Sequence, residues 1–406
     1  MNRCDRHSCV ATYFALLCSI LLSVNAASAH DQESFQDLWP SEEQRKLVSD
    51  RRATFPGAPG FVTDVDWYEP LELVPGSNTR ALNIELEDNV TIDAAYDVLI
   101  RHDTYAFVYW RDGAIRAERY WGTVTDTTRF DTASMHKTVV ALMLGVASDQ
   151  GLIDSVDDNL AKYLPELANK PQGSIPLKAL LEMASGIRTP AFSDDPANPY
   201  WQFYLGNDLW QAASHWPIKT KPFEEFYYAN ANTQYLQWVI ERTSGMRYTD
   251  FLSKYLWVPI GANTARLWLD REGGSSRASC CLQASARDWL RFGLLLLQNG
   301  QSGSQQVVSQ EWIEAMSAPS KNNPNYGWQI WRGSPHNPHR SYGSGIPVTI
   351  PAKRPFLNED TIYLDGSGGQ RVYVIPSANT VIVRIGKPTF EWDDSELPNL
   401  LVRAAQ

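Results

Sequence analysis

Asp131-Thr132-Ala133-Ser134-Met135-His136-Lys137-Thr138 runs without a break into Val139-Val140-Ala141-Leu142-Met143-Leu144-Gly145-Val146. The first half reads as a short loop and the second as a buried helix, so a helix start is expected inside a core. Ser134 and Lys137 stand three apart and share one helix face. A serine at such a start has an unpaired backbone N–H and the positive end of the helix dipole beside it, and both suit an oxyanion. A lysine one turn further on, in apolar surroundings, has its charged form disfavoured and releases its proton nearer neutral pH. Ser134 is therefore a candidate nucleophile and Lys137 its activator. The plainer reading is an N-cap serine followed by a solvated lysine. This is the only Ser-x-x-Lys of the chain and it opens the most apolar helix of the mature protein. Partners elsewhere have to decide between the two readings.

At the amino end, Arg3 and Arg6, the apolar run from Tyr13 to Val24 and the small residues Ala27-Ser28-Ala29 make residues 1–29 a secretory signal. The run is too short to span a bilayer, so a mature chain without an integral membrane anchor is expected, in the periplasm or outside the cell. The 406 residues carry a net charge of −10 and show no basic cluster, which excludes a nucleic-acid partner. That length suits one large core with a second subdomain. Fifteen Trp and eighteen Tyr suit an aromatic-walled cleft. Of five cysteines, Cys4, Cys9 and Cys18 fall in the signal, leaving Cys280 and Cys281 side by side. Adjacent cysteines bond only with strain. They read as two small buried residues, with neither a disulfide framework nor a zinc pattern.

Residues 30–100 read as a Pro-rich arm packed on the body, with helices near Ser41 to Arg51 and Asp93 to Ile100. A hairpin follows: Thr104 to Trp110 and Ala114 to Trp121 flank the turn Asp112-Gly113. From about 155 to 345 the chain reads as helical pieces joined by Pro- and Gly-containing loops, including Leu177 to Met183, Ala231 to Thr243 and Ala286 to Gln298. Strands return at Thr361 to Leu364, Arg371 to Ile375 and Thr380 to Ile385, before a last helix from Ser395 to Ala404. Strands at both ends with helices between predict an antiparallel sheet built from about 101–130 and 346–406, with a helical subdomain inserted. Ligand sites favour such junctions.

Two further stretches carry chemistry. In Phe226-Tyr227-Tyr228-Ala229-Asn230, Tyr228 and Asn230 project from a loop just before a helix. A tyrosine near a cationic lysine ionises more easily, so Tyr228 is a candidate general base. Asn230 can offer its amide N–H to a substrate carbonyl and its oxygen to Lys137. In Asp365-Gly366-Ser367-Gly368-Gly369-Gln370, set between strands, the glycines permit close approach of a substrate to the backbone. One N–H from this edge, with that of Ser134, would make a two-donor oxyanion hole.

In this order, Ser-x-x-Lys, Tyr-x-Asn and a Gly-rich strand resemble the serine β-lactamase and penicillin-recognising superfamily. Tyr228-Ala229-Asn230 has the form typical of class C β-lactamases and related esterases. The segments Ile175 to Ile187, Ala286 to Leu295 and Gly369 to Pro376 fit as well, so roughly residues 100–390 are covered. Trp67-Tyr68-Glu69-Pro70-Leu71 is similar to the lead-in of the 6-aminohexanoate-dimer hydrolase branch. The third motif departs from the Lys-Thr-Gly or His-x-Gly of β-lactamases and peptidases. Leu364-Asp365-Gly366 has no cation there and adds an acid that would repel a substrate carboxylate. The Gly-x-x-Gly-Gln form is instead similar to nylon-oligomer hydrolases and family VIII carboxylesterases.

The resemblance implies a β-lactamase/transpeptidase-like α/β fold, an antiparallel sheet flanked by helices with an all-helical subdomain. It implies Ser134 as nucleophile, Lys137 and Tyr228 as the proton-handling pair, the Ser134 and Ser367 amides as oxyanion donors, and Gly366 and Asn230 at the substrate. The expected function is a secreted serine hydrolase cleaving a small ester or linear amide through an acyl-enzyme, with no cofactor and no metal. A β-lactamase or D,D-peptidase is the alternative, and a catalytically silent binding protein on the same scaffold is the competitor from another class. No G-x-S-x-G and no H-E-x-x-H occur. His136 is expected to point off the Ser134/Lys137 face, and Asp194 and Asp195 to form a solvated turn rather than bind a cationic substrate end.

Overall fold

The computed structural model describes residues 39–403. Residues 1–29, expected from sequence to be a secretory signal, and with them Cys4, Cys9 and Cys18, lie outside the described residues. No helix among these is long and apolar enough to cross a membrane.

The expected hairpin forms as β2 (Thr104–Arg111) and β3 (Ala114–Tyr120). Asp112 and Gly113 between them both take positive φ, 46° and 90°. That is the turn whose twist matches the flanking strands, and Asp-Gly supplies it at little cost. The carboxy-terminal strands are β12 (Ile362–Gly366), β13 (Gln370–Ile375) and β14 (Thr380–Gly386). With the short β9 (Trp331–Arg332) they complete a six-stranded antiparallel sheet in the order β3-β2-β14-β13-β12-β9. The early hairpin and the carboxy-terminal strands thus meet at the β2–β14 pairing, where Val108 lies opposite Val383.

Alternation along the strands divides the core. Ala106, Val108 and Trp110 point into the larger apolar cluster, and Phe107 and Tyr109 into a second one. The helix Ala286–Leu297 covers the first face, started by a reciprocal Ser285/Asp288 capping box. It packs so closely that a Cβ on Gly293 would sit 2.6 Å from a Val381 methyl carbon. Helices Val90–Arg101 and Glu396–Arg403 pair with each other over the second face. Both sheet faces are therefore dry, and every residue of β14 is buried.

A second, four-stranded sheet is present that the sequence reading did not anticipate, two of its strands falling within the stretch read as helical pieces. Its order is β1 (Leu71–Val74), β5 (Ala265–Trp268), β6 (Leu282–Ala284) and β4 (Phe130–Asp131). These strands are two to four residues long, too short for alternation to announce them. Small hairpins complete the strand list: β7 (Gln301–Ser302) with β8 (Gln305–Gln306), and β10 (His339–Ser341) with β11 (Thr349–Pro351). The pairing of β4 with β6 matters most for the site. It sets the Ser134 loop, three residues past Asp131, beside the segment 277–281 that precedes β6.

One expectation is overturned here. Cys280 and Cys281 are joined to each other as a vicinal disulfide rather than standing as two separate thiols. Cys281 takes a φ of 75°, and the Cys280 and Cys281 carbonyls accept from His136 and from the Trp268 amide. The local chain path brings the two side chains to the same side, which the ordinary extended geometry of adjacent residues does not.

Candidate active site

Ser134 sits in a 3₁₀ turn, Ala133–Met135, that leads into the buried helix His136–Asp149. Every residue from Phe130 to Ala147 is buried except Ser134. The turn is held by Asp131, whose carboxylate accepts from the Ala133 amide at 3.0 Å while Ala133 takes a φ of 52°. Burial pushes the Asp131 carboxyl up to about 7, partly offset by that amide, so near neutrality it is substantially protonated.

Lys137 Nζ lies 2.7 Å from Ser134 Oγ. It also donates to the carbonyl of Ser279, the residue that the β4–β6 pairing brings alongside. The lysine is almost completely buried. Burial drives its pKa well below the ordinary lysine value, and the negative charge of Asp365 offsets only part of this. A neutral amine with one N–H on the Ser279 carbonyl has its lone pair left for the Ser134 hydroxyl proton.

Tyr228 faces the same pair. Its hydroxyl hydrogen-bonds Ser134, and Lys137 Nζ lies 5.1 Å from its ring centre. Tyr326, Trp331 and Tyr342 surround the ring at centroid distances of 6.2, 6.1 and 5.3 Å. The expectation that a cationic lysine would ease Tyr228 ionisation is reversed. Burial raises its pKa well above the ordinary phenol value, with Tyr326 and Asp365 adding to the rise and the Ser134 bond opposing it. The cause is the burial of Tyr228 itself, which no cationic neighbour offsets.

Asn230 opens the helix Asn230–Ser244 and lines the site, but it does not serve Lys137. Its amide nitrogen bonds the Tyr204 hydroxyl, and its Oδ1 is buried without a partner. Ser367 stands across from Ser134 at the end of β12, its Oγ likewise unpartnered. Gly366 has a different reason from the one expected. A Cβ there would lie 2.1 Å from the Thr132 carbonyl oxygen, so the glycine lets the strand end close on the Ser134 loop rather than admit substrate. Gly369, similarly, lies against Arg384 and Trp392.

The acid of the third motif is not free. Asp365 takes Arg340 at 2.9 Å, Arg371 at 2.5 Å and the Tyr342 hydroxyl at 2.6 Å, and Asp394 closes the ring by pairing with both arginines. All four charges are buried and they sum to zero. Burial opposes the Asp365 charge, but Arg340 and Arg371 outweigh it and hold its carboxyl below the usual range. Repulsion of a substrate carboxylate by Asp365 is therefore screened by its two partners. Sequence reasoning missed this cluster because its members sit on β10, β12, β13 and the loop before the last helix. The one available signal was the concentration of Arg and Asp among strongly apolar strands.

Two clefts meet at Ser134. One is walled by Tyr228, Tyr342, Val348 and Phe390, the other by Phe61, Leu205, Trp268 and the two cysteines. Ser134, Tyr204, Asn230 and Ser367 border both, and neither is lined by a Lys, Arg or His. His136 is fully buried between the Cys280 carbonyl and the Tyr248 hydroxyl, and burial lowers its pKa to about 4. Asp195 accepts from the Ala197 amide and serves a turn, whereas Asp194 pairs with Arg52 of the helix Glu42–Ala53. Among the described residues no group of three or more His, Cys, Asp or Glu is placed to hold a metal ion.

The class follows from this fold and from comparison with known proteins. The beta-lactamase family model matches residues 98–396, and the chain belongs to that family. A 6-aminohexanoate-dimer hydrolase of Paenarthrobacter ureafaciens is 29% identical over 226 residues, 53% of this chain and 57% of that protein. Protein flp of Staphylococcus aureus strain MW2 is 26% identical over 137 residues, 33% of this chain and 27% of that one. The matches thus span little more than half of the first relative and about a quarter of the second. Among solved structures, a Bacillus anthracis protein provisionally assigned as a 6-aminohexanoate-dimer hydrolase superposes with a TM-score of 0.70 at 21% identity, over 90% of this chain and 97% of its own. A penicillin-binding protein homologue from Caulobacter crescentus gives 0.58 at 14%, over 80% and 99%. These likenesses show the fold, an antiparallel sheet flanked by helices, as the motifs implied.

Proposed function

We propose that this chain is an exported serine hydrolase that cleaves uncharged esters or linear amides through an acyl-enzyme on Ser134. The observation that carries this reading is the 2.7 Å approach of Ser134 Oγ to a buried Lys137 amine held below its ordinary pKa. Lys137 takes the Ser134 proton as Oγ bonds the substrate carbonyl carbon, and the carbonyl π pair moves onto oxygen. The amides of Ser134 and Ser367 receive that oxyanion. As the oxygen pair returns, the bond to the leaving group breaks. Tyr228 gives its proton to the leaving oxygen or nitrogen and recovers one from the Lys137 ammonium. Water then repeats the sequence on the acyl-enzyme, with its proton passing through the same pair and the acid released from Oγ.

The preference for uncharged substrates rests on clefts lined by no cation, with Asp365 committed to its own arginines. Kinship with a 6-aminohexanoate-dimer hydrolase supports including linear amides. Export rests on the secretory signal of residues 1–29 and accords with a disulfide, which persists in oxidising compartments. The test compares the mature protein with Ser134→Ala on a p-nitrophenyl ester, a linear 6-aminohexanoate dimer and a chromogenic cephalosporin. Turnover of ester or dimer that the alanine variant loses is the expected result. Turnover of the cephalosporin alone would favour the β-lactamase alternative. No turnover together with no labelling of Ser134 by a fluorophosphonate would favour a silent binding scaffold.

A further inference from the structure

We propose that the cleft between Phe61 and the Cys280–Cys281 disulfide is an acyl-chain pocket, which makes the substrate an ester or amide of an apolar, uncharged acid. This rests on the hydrolase reading above, and it assigns the two clefts to the two halves of the substrate. Tyr228, the proton donor to the leaving group, lines only the cleft shared with Tyr342 and Phe390. The leaving group therefore lies on that side, and the acyl portion points the other way, past Ala133 toward Phe61, Leu205 and Trp268.

The second cleft is polar at its Ser134 end, where Tyr204, Asn230 and Ser367 border it, and apolar beyond, toward Phe61, Leu205, Trp268 and the two cysteines. Trp268 is fixed by stacking on Tyr68 at 3.8 Å between ring centres and by an edge contact with Phe61 at 5.9 Å. Leu205 is fully buried and ends the aromatic helix Pro199–Leu205. The floor is the disulfide, in which two sulfurs bonded to each other have no S–H to donate and no thiolate to form. That floor is fixed from below, because Lys137 bonds the Ser279 carbonyl and His136 the Cys280 carbonyl. Phe61 belongs to the segment before residue 98, where the family match begins. Phe61 thus brings the amino-terminal part of the chain into the wall, and that part is joined to the body through β1 and the Tyr68 hydroxyl, which donates to Leu269 at 2.8 Å.

The test is a p-nitrophenyl ester series from acetate to octanoate, with kcat/KM measured on the mature protein, Phe61→Leu and Phe61→Ala. Each methylene taken from water into the pocket is worth about fourfold, so hexanoate should exceed acetate by tenfold or more. Phe61→Ala should move the preferred chain to greater length, and Phe61→Leu, the milder change, should do so in smaller degree. A parallel series of acetates with lengthening alcohols should leave the Phe61 variants and the parent in the same ratio. Ser134-dependent turnover with no chain-length preference, or a Phe61 effect confined to the alcohol series, overturns the pocket and leaves the hydrolase reading intact. If no ester is turned over, labelling of Ser134 by methyl- to octyl-fluorophosphonates, read by intact mass, makes the same comparison. Equal labelling rates overturn the pocket alone, and no labelling overturns both.

Discussion

Replacing Asp365 by Asn removes one charge from a buried ring of four and leaves Arg340 and Arg371 facing Asp394 alone. All four groups are at most a few per cent exposed, so water cannot compensate the surplus positive charge. Breaking one partner out of such a buried network costs about 3–5 kcal/mol. With an unfolding entropy of about 2.1 cal/mol/K per residue, a body spanning residues 39–403 loses roughly 0.8 kcal/mol per kelvin at its midpoint. The expected fall in Tm is therefore about 4–6 °C, read by calorimetry on the mature protein. A second readout concerns the site. The Asp365 charge raises the Lys137 pKa, so its removal lets Lys137 lose its proton at lower pH. The acid limb of ester hydrolysis should move to lower pH in Asp365→Asn. Adding Arg371→Met restores a balanced Arg340–Asp394 pair and should return part of the lost stability. An unchanged Tm, or an acid limb moving to higher pH, would refute the account of this ring as four coupled charges acting on Lys137.

Lys137→Arg places a permanent cation where a neutral amine is needed and cannot release its proton, so esterase activity should fall by about 10³-fold or more, with thermal stability measured alongside to exclude unfolding. Asp131→Asn should gain stability over the parent with rising pH. In the native state the Asp131 carboxyl is raised to about 7 from an ordinary 3.8, so the folded protein binds the extra proton and loses stability across that window. The variant lacks that loss, and urea melts at successive pH values should show the difference growing by about 1.4 kcal/mol per unit from pH 4 to 7 and then levelling. Gly366→Ala places a carbon against the Thr132 carbonyl and should push β12 off the Ser134 loop. Its kcat should drop by tenfold or more, and an unchanged kcat would mean that the strand end does not help to shape the site.

The parts of this protein legible in its sequence are those fixed by neighbours along the chain. Ser134 and Lys137 meet because three residues of turn and helix bring them together, and Asp112-Gly113 turns its hairpin by its own φ preferences. Five strands of the large sheet were readable because β2, β13 and β14 are long and strongly apolar, whereas β9, two residues inside the stretch read as helical, was not. What escaped notice depends on contacts between distant short segments. The Ser279 carbonyl reaches Lys137 only because a two-residue strand pairs with a three-residue one, and no periodicity marks either. The partners of Asp365 come from separate elements, so its charge in isolation read as a free acid. Asn230 has the right position but a different partner, Tyr204, supplied by a helix whose packing no local pattern dictates. The disulfide escaped for the converse reason, since a rule about extended neighbours was applied to a chain path that turns at Cys281.

The order of the large sheet also governs how the molecule comes into being. β2 pairs on one side with β3, which follows it at once, and on the other with β14, which is among the last segments made. Until Thr380–Gly386 has left the ribosome, the inner edge of β2 has no native partner, and the fold cannot close around a growing chain. A sheet of this topology cannot be completed strand by strand as the chain is made, because its central pairing waits for segments that lie far apart in the sequence.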